Sequence, residues 1–297
     1  MKFIAYIVTY SVVWLLHLLP ERILYLLSDL LYLLMYHVAG YRKRVVYDNL
    51  RKSFPEYDKA TIGRIARKFY HHLSDLMLEQ AVLHFSSEEK AKQKLILKNP
   101  EVLNDLYGKG KMVMAVLGHY GNWEYMATLS LYIDHPVLAI YKPLRNKYFD
   151  RMIQKNRKAY GVVPVPMKRI GRTLLEHHKN SDPVLTLFLG DQRPRYHQIH
   201  YWTKFMGQDT PMFLGTEKLA RKLDASVVFL KVRKVSRGRY EVEVQLICES
   251  PAGLKPYEIT ERHVAMLEDL IREEPAWWLW SHRRWKHSYE RYLKENQ

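Results

Sequence analysis

The sequence predicts an α/β protein: a mostly parallel central sheet flanked by helices, preceded by membrane-associated N-terminal helices. From Leu95 onward, short apolar runs bounded by turn residues alternate with amphipathic runs of about ten residues, the pattern of strands joined by crossover helices. Residues 3–41 hold two long apolar runs. No internal repeat or low-complexity linker interrupts the chain, so 42–297 reads as one α/β domain behind an anchoring region of residues 1–41.

Phe3 to Leu19 carries no formal charge over 17 residues and ends at Pro20, which is the lower limit of a membrane span of about 17 to 25 residues. Without a small-x-small cleavage site before Pro20, it reads as a retained anchor. In the run Ile23 to Tyr41, Tyr25, Asp29, Tyr32 and Tyr36 fall at i, i+4, i+7 and i+11. One face is polar-aromatic and the other leucine-rich, which suits a helix at the membrane interface or packed on the globular part. Arg42, Lys43, Arg44, Arg51 and Lys52 follow, with only Asp48 against them, and mark this side of the membrane as cytoplasmic.

Ile62, Ile65, Ala66, Phe69, Leu73, Leu76, Met77 and Ala81 have helical spacing, so an amphipathic helix is expected from Thr61 to near Phe85. Ser86 with Glu89 forms a candidate capping box, and His71 and His72 read as surface residues. Strands are expected at Met112–Leu117, Pro136–Ile140, Val162–Pro166 and Val184–Leu189, with helices at Trp123–Leu131, Lys147–Tyr160 and Arg172–Lys179. A further helix, Thr216–Leu223, precedes a hairpin of Val227–Val235 and Tyr240–Ile247, and the last helix begins near Ile259 and runs into Pro275.

A hydrophobic fraction of 47% with 22 Tyr and 7 Trp excludes a disordered chain. The net charge of +16 calls for an anionic partner: nucleic acid, a phospholipid surface or an acidic protein. A single cysteine, Cys248, excludes an internal disulfide and a multi-cysteine zinc site, and reads as a small buried apolar residue. There is no His-Glu-x-x-His helix and no glycine-rich nucleotide loop, so no metal site is expected.

The candidate chemistry lies in Gly118-His119-Tyr120-Gly121-Asn122-Trp123-Glu124, at a strand-to-helix turn where parallel α/β sheets keep their sites. In an unbroken helix His119 and Glu124 would diverge by roughly 140° at about 3.6 residues per turn; a bend at Gly121 lets them meet. Histidine can take a proton from a hydroxyl near neutral pH while a carboxylate fixes its tautomer. No Ser or Cys sits in a nucleophile elbow, so the nucleophile would be the substrate's own hydroxyl.

Three other segments end candidate strands or stand out in composition. Tyr141 to Lys147 opens a stretch from Lys142 to Arg172 with ten basic residues against Asp150, suited to phosphate. Gly190-Asp191-Gln192-Arg193 follows another strand; Asp191 would orient Arg145 or a substrate group, or equally cap a turn. Trp277 to Trp285 interleaves Trp and Arg, as a membrane interface, a nucleic-acid surface or core packing would, core packing being the default for at least two of its four Trp.

Taken in order along the chain, the apolar N-terminus, R-V-V-Y-D-N-L-R-K-S-F-P at Arg44 to Pro55, G-H-Y-G-N-W-E, Y-K-P-L-R-N-K at Tyr141 to Lys147, G-D-Q at Gly190 to Gln192 and W-L-W-S-H-R-R-W-K at Trp278 to Lys286 resemble the bacterial lipid A biosynthesis (lauroyl/myristoyl) acyltransferases, within the lysophospholipid acyltransferase superfamily. The resemblance implies a glycerol-phosphate-acyltransferase-like fold and an inner-membrane enzyme with its catalytic domain on the cytoplasmic side. It implies transfer of a fatty acyl chain from acyl carrier protein to a hydroxyl of a phosphorylated lipid A precursor. His119 would be the general base and Glu124 its partner, with Arg145, Lys142, Asn122 and Asp191 expected to bind substrate. No metal or redox cofactor is required, since the carrier-protein thioester supplies the acyl group; the partners are membrane lipid, the phosphorylated glycolipid acceptor and the carrier protein, not nucleic acid. The alternatives are an acyltransferase for a lysophospholipid, amino-acid lipid or other glycolipid, and a non-catalytic, basic, membrane-anchored binding protein.

Overall fold

Strands that are apolar on both faces can be hidden only where helices cover both faces, and this requirement sets the centre of the protein. The computed structural model describes residues 2–295, so Met1 and residues 296–297, the outer ends of the two expected regions, lie outside the described residues. Strands β1 (Leu95–Leu97), β2 (Val113–Leu117), β3 (Val137–Tyr141), β4 (Val163–Pro166) and β5 (Leu185–Leu189) come first. A short hairpin of β6 (Trp202–Phe205) and β7 (Gln208–Pro211) and a long one of β8 (Ser226–Ser236) and β9 (Arg239–Cys248) follow.

The helices before the sheet are α1 (Lys2–His17), α2 (Glu21–Leu33, continued by a π-helical turn to Val38), α3 (Lys43–Ser53), α4 (Lys59–Leu83) and α5 (Glu88–Lys92). Those within and after it are α6 (Glu101–Gly108), α7 (Lys147–Ala159), α8 (Ile170–Lys179), α9 (Gly215–Leu223), α10 (Glu258–Glu273) and α11 (Tyr289–Glu295). The main sheet has the order β1-β9-β8-β2-β5-β3-β4; β8, β2, β5, β3 and β4 run parallel, and β9 and β1 run the other way. β2, buried at every position, lies between β5 and β8.

The expected strands at β2 to β5 appear within one residue at each end, because continuous apolar runs can be read without knowing their partners. Elsewhere the structure corrects the reading. Residues Trp123–Leu131 form a 3₁₀ helix, with Tyr125 to Leu129 buried without a break, so no amphipathic period exists to favour an α-helix. The basic stretch after Tyr41 is α3, which buries Val46, Asn49, Leu50 and Ser53 at i, i+3, i+4 and i+7 beneath its charges. Ser87, not Ser86, caps α5 by accepting from Lys90 N, while Ser86 Oγ turns back to Val82 O. Three-residue β1, the α6 helix and the β6-β7 hairpin had no readable signal of their own.

The N-terminal helices are tied into the body. Tyr32, Met35 and Tyr36 join the main core. At the tip of the β8-β9 hairpin, Arg237 bonds Asp29 of α2 at 2.5 Å and Asp75 of α4 at 2.7 Å and stacks over Tyr25. α1, at about 1.5 Å per residue over its 16 residues, is shorter than the roughly 30 Å hydrocarbon layer. No single described helix is long and apolar enough to cross a membrane. The segment expected as an anchor at Phe3–Leu19 is an apolar helix over Phe3–His17 that leaves Phe3, Ile4, Val8 and Leu15 exposed, and on α2 Leu26 is 66% and Leu30 63% exposed.

The end of β2 is packed tightly. A Cβ on Gly118 would lie 2.6 Å and 2.9 Å from the two methyl carbons of Leu267 on α10, a buried residue with little room to move. We expect Gly118→Ala to cost about 1–3 kcal/mol of stability. In denaturant unfolding, the double variant Gly118→Ala/Leu267→Ala should lose less than the sum of the two single variants; strict additivity would show that this contact is not the cause.

Candidate active site

The site follows from register. Leu117 of β2 pairs with Leu189 of β5, and each strand is followed by one glycine and then one polar residue, so His119 and Asp191 come out side by side at the carboxyl end of the sheet. His119 Nδ1 lies 2.5 Å from Asp191 Oδ1, and its backbone N–H donates to Oδ2 at 2.8 Å. Trp278 Nε1–H donates to the same Oδ2 at 2.8 Å.

This geometry sets both charges. Burial acts to raise Asp191, but the neighbouring His119 charge, the bonds from His119 and the Trp278 donor outweigh it and hold the carboxyl down at about 2. Burial acts to lower His119, and the charge and hydrogen bond of Asp191, helped by the charge of Glu124, raise it above the ordinary imidazole value. With Nδ1–H given to Asp191, Nε2 carries the lone pair. The Gln192 amide nitrogen sits 3.0 Å from Nε2, so its N–H occupies the place where a substrate hydroxyl would present its proton.

The turn that carries His119 is held on three sides. Gly121 has φ +59°, the left-handed region open to glycine, and Val232 Cγ1 leaves only 3.0 Å where a Cβ would be. Its N–H donates to Trp277 O at 3.0 Å, and Tyr120 bridges Trp278, so the C-terminal segment lies along the turn as a strap. From α4, His72 Nε2 lies 3.1 Å from Gly121 O. His72 was expected at the surface but is buried; burial, then Lys234, push its pKa down to about 3, and the neutral ring donates from Nε2. Glu79 of α4, raised by burial, accepts from Asn122 at 2.9 Å, Tyr240 at 2.8 Å and Tyr25 at 3.2 Å.

The other expected site residues fall in different places. Asn122 is fully buried, with its amide committed to Glu79 and to Glu124 N, which makes it part of the turn rather than a face open to substrate. Glu124 does not take Nδ1 of His119, which corrects the expected direct pair; Asp191 has that position, and Glu124 Oε2 lies 3.7 Å from the Arg157 guanidinium. Lys142 and Arg145 lie exposed in the loop between β3 and α7. Asp191 orients neither Arg145 nor a turn but His119.

Glu124 and Arg157 line a cavity of about 40 Å³ whose other walls are apolar, among them Leu117, Trp123, Met126, Ile140 and Leu189. It has room for about three waters. Arg157 Nη1 is buried there without a hydrogen-bond partner among the described residues. The Trp123 ring stands edge-on to His119, 4.8 Å between centroids, and joins the two halves of the site.

Arg157, Gln192 and Trp278 had not been singled out for these roles. Arg157 was one of ten basic residues and nothing in spacing distinguished it. The matching strand-Gly-polar pattern at His119 and Asp191 was visible, and with β2 and β5 known to be neighbours it would have identified the pair. Of the Trp277–Trp285 segment, Trp278, Trp280 and Arg284 are buried, in line with core packing for at least two of the Trp.

The chain matches the family model described as bacterial lipid A biosynthesis acyltransferase over residues 2–287. No curated protein matches it. A match over nearly the full length, with a buried carboxylate-histidine pair at the carboxyl ends of parallel strands, places this chain in the bacterial lipid A biosynthesis acyltransferase family, as an enzyme that acylates a lipid A precursor.

Proposed function

We infer that the enzyme moves a fatty acyl chain from acyl carrier protein to a hydroxyl of a phosphorylated lipid A precursor, using His119 as general base. The observation that carries this reading is a histidine whose Nδ1 is fixed by a buried carboxylate and whose Nε2 faces an amide N–H beside an apolar cavity. The acceptor hydroxyl replaces the Gln192 N–H at Nε2 and gives up its proton there as its oxygen attacks the thioester carbonyl. Asp191 stabilises the imidazolium, with Glu124 as a second negative charge near it. The carbonyl oxygen becomes an oxyanion, and the unpartnered Arg157 Nη1 is the donor best suited to it, ahead of exposed Arg145. Collapse breaks the C–S bond, and the proton on Nε2 goes to the leaving thiolate. The apolar cavity provides the start of the acyl chain's path.

The setting we favour is the cytoplasmic face of the inner membrane. Exposed apolar residues on α1 and α2 stand next to Arg42, Lys43, Arg44, Arg51 and Lys52, a combination that favours shallow insertion into anionic lipid. The surplus of basic residues suits the acidic carrier protein as well as the acceptor's phosphates.

Mass spectrometry of a lipid A precursor incubated with purified enzyme and several acyl carrier thioesters should show one added acyl group with the wild type and none with His119→Ala. Acylation of a lysophospholipid instead, or near-wild-type turnover by His119→Ala, overturns the reading. For Asp191→Asn, loss of the carboxylate removes what raises His119, so its pKa falls and the rising limb of the pH-rate profile moves to lower pH. The plateau should drop on the order of 10³-fold, because the ring is no longer held in the productive tautomer. Leu26→Asp with Leu30→Asp, both at exposed positions, should reduce co-sedimentation with anionic vesicles about tenfold or more while leaving thermal unfolding unchanged.

A further inference from the structure

The bend that carries the chain from His119 to Glu124 rests on Gly121, and glycine is the residue least able to hold one conformation by itself. Its φ of +59° is fixed from outside. The peptide before Gly121 is tied through its N–H to Trp277 O at 3.0 Å. The peptide after it is tied through its carbonyl to His72 Nε2 at 3.1 Å. Because each peptide is a rigid plane, holding the two planes on either side restrains both dihedrals of the glycine, and with them the direction in which the chain leaves His119.

The two anchors differ in kind. Trp277 O is backbone, whereas His72 is a side chain on α4 and makes its bond only when its proton is on Nε2. Lys234 puts it there. The ammonium lies 3.3 Å from Nδ1 of His72, and an ammonium has protons to donate and no lone pair to accept with. Nδ1 is then the acceptor, which leaves the proton on Nε2, aimed at Gly121 O. Lys234 is itself oriented by Asp75 at 3.2 Å and by the face of the Trp277 ring at 4.8 Å, and Asp75 is held in turn by Arg237 and Ser28. The buried His72 ring stands edge-on to Trp277, 4.9 Å between centroids, so packing as well as bonding opposes a ring flip.

We propose that His72 is a positioning residue for the acyl transfer: through the series Asp75, Lys234, His72, Gly121 it holds the catalytic turn in the bend that keeps His119 against Asp191. This rests on His119 acting as general base. The series passes no proton during the reaction; each member fixes the direction of the next, and the last bond falls on a backbone carbonyl two residues from His119. An apolar residue in place of His72 leaves Gly121 O without that donor and lets the peptide rotate. The His119 ring then moves relative to Asp191, and a displacement of about 1 Å at a reacting group can cost on the order of 10²-fold in rate.

The test compares wild type with His72→Leu, His72→Gln and Lys234→Met in the full chain. Glutamine is the informative replacement, since its amide N–H can reach Gly121 O while its carbonyl accepts from Lys234. Two quantities are read: kcat and KM of acyl transfer, and the titration of the His119 ring by NMR on histidine-labelled enzyme, with His119→Ala identifying the signal. For His72→Leu, kcat should fall about 10²-fold while KM stays within about twofold of wild type. The His119 titration should move to lower pH, because the contact with Asp191 that raises it is loosened. Glu124 and His282, the other titratable groups around that ring, are present in every variant. Both quantities should return most of the way in His72→Gln. Lys234→Met should show a smaller loss of the same kind, since Nδ1 is then free to take the proton. A folded His72→Leu enzyme with wild-type kcat overturns the proposal, and so does a loss that His72→Gln leaves unrepaired. If His72→Leu does not fold, Lys234→Met decides, and an unmoved His119 titration in it overturns the proposal. The titration needs no turnover, so a wild type that transfers no acyl group sinks the functional reading while the clamp is still judged by the position of the His119 titration.

Discussion

The site depends on one buried carboxylate. Asp191 could not stay ionised out of water without compensation, and its compensation comes from three donors on two parts of the chain: the ring and the backbone of His119, and the indole of Trp278. Meeting that requirement fixes much else. The Trp278 indole must reach the strand ends, so the C-terminal segment has to lie along the catalytic turn. His119 must leave β2 in register with β5, and Gly118 before it has to stay small because Leu267 fills the space that a Cβ would need. A buried charge thus specifies where the loop, the strap and the strand ends sit relative to one another.

The same logic extends to α4. Its inner face carries His72, Asp75 and Glu79, three polar groups at i, i+3 and i+7 that would be costly in an apolar interior. Each is matched: His72 by Gly121 O, Asp75 by Arg237 and Lys234, Glu79 by Asn122, Tyr240 and Tyr25. These bonds join α2, the long hairpin and the turn of His119 into one polar seam. The N-terminal helices therefore belong to the framework of the site as well as carrying exposed apolar residues of their own.

How much of this could be read from the sequence depended on whether a feature is local. Continuous apolar runs at β2 and β5, the hairpin around Gly238 and the turn at Gly121 are set by neighbouring residues, and all were legible. His119 stood out because a polar residue after a buried strand and a glycine is unusual. Proximity along the chain points to Glu124, five residues away, as its partner; the group that bonds its Nδ1, Asp191, is 72 residues distant and is brought near by sheet order. The burial of His72 is equally invisible to local pattern, since its compensating carbonyl lies 49 residues on. Arg157 was hidden among similar charges until the cavity separated it from them.

The contact of Gln192 with the free nitrogen of His119 carries a consequence for selectivity. An incoming hydroxyl does not fill an empty position; it exchanges one donor for another at the same lone pair, so the net gain from that bond is small. Affinity for the lipid acceptor must then come from elsewhere, from parts of it at a distance from the reacting atoms. A lone water, which can offer only the hydroxyl, has nothing further with which to displace the amide. An exchange of this kind favours transfer to the acceptor over wasteful hydrolysis of the acyl donor.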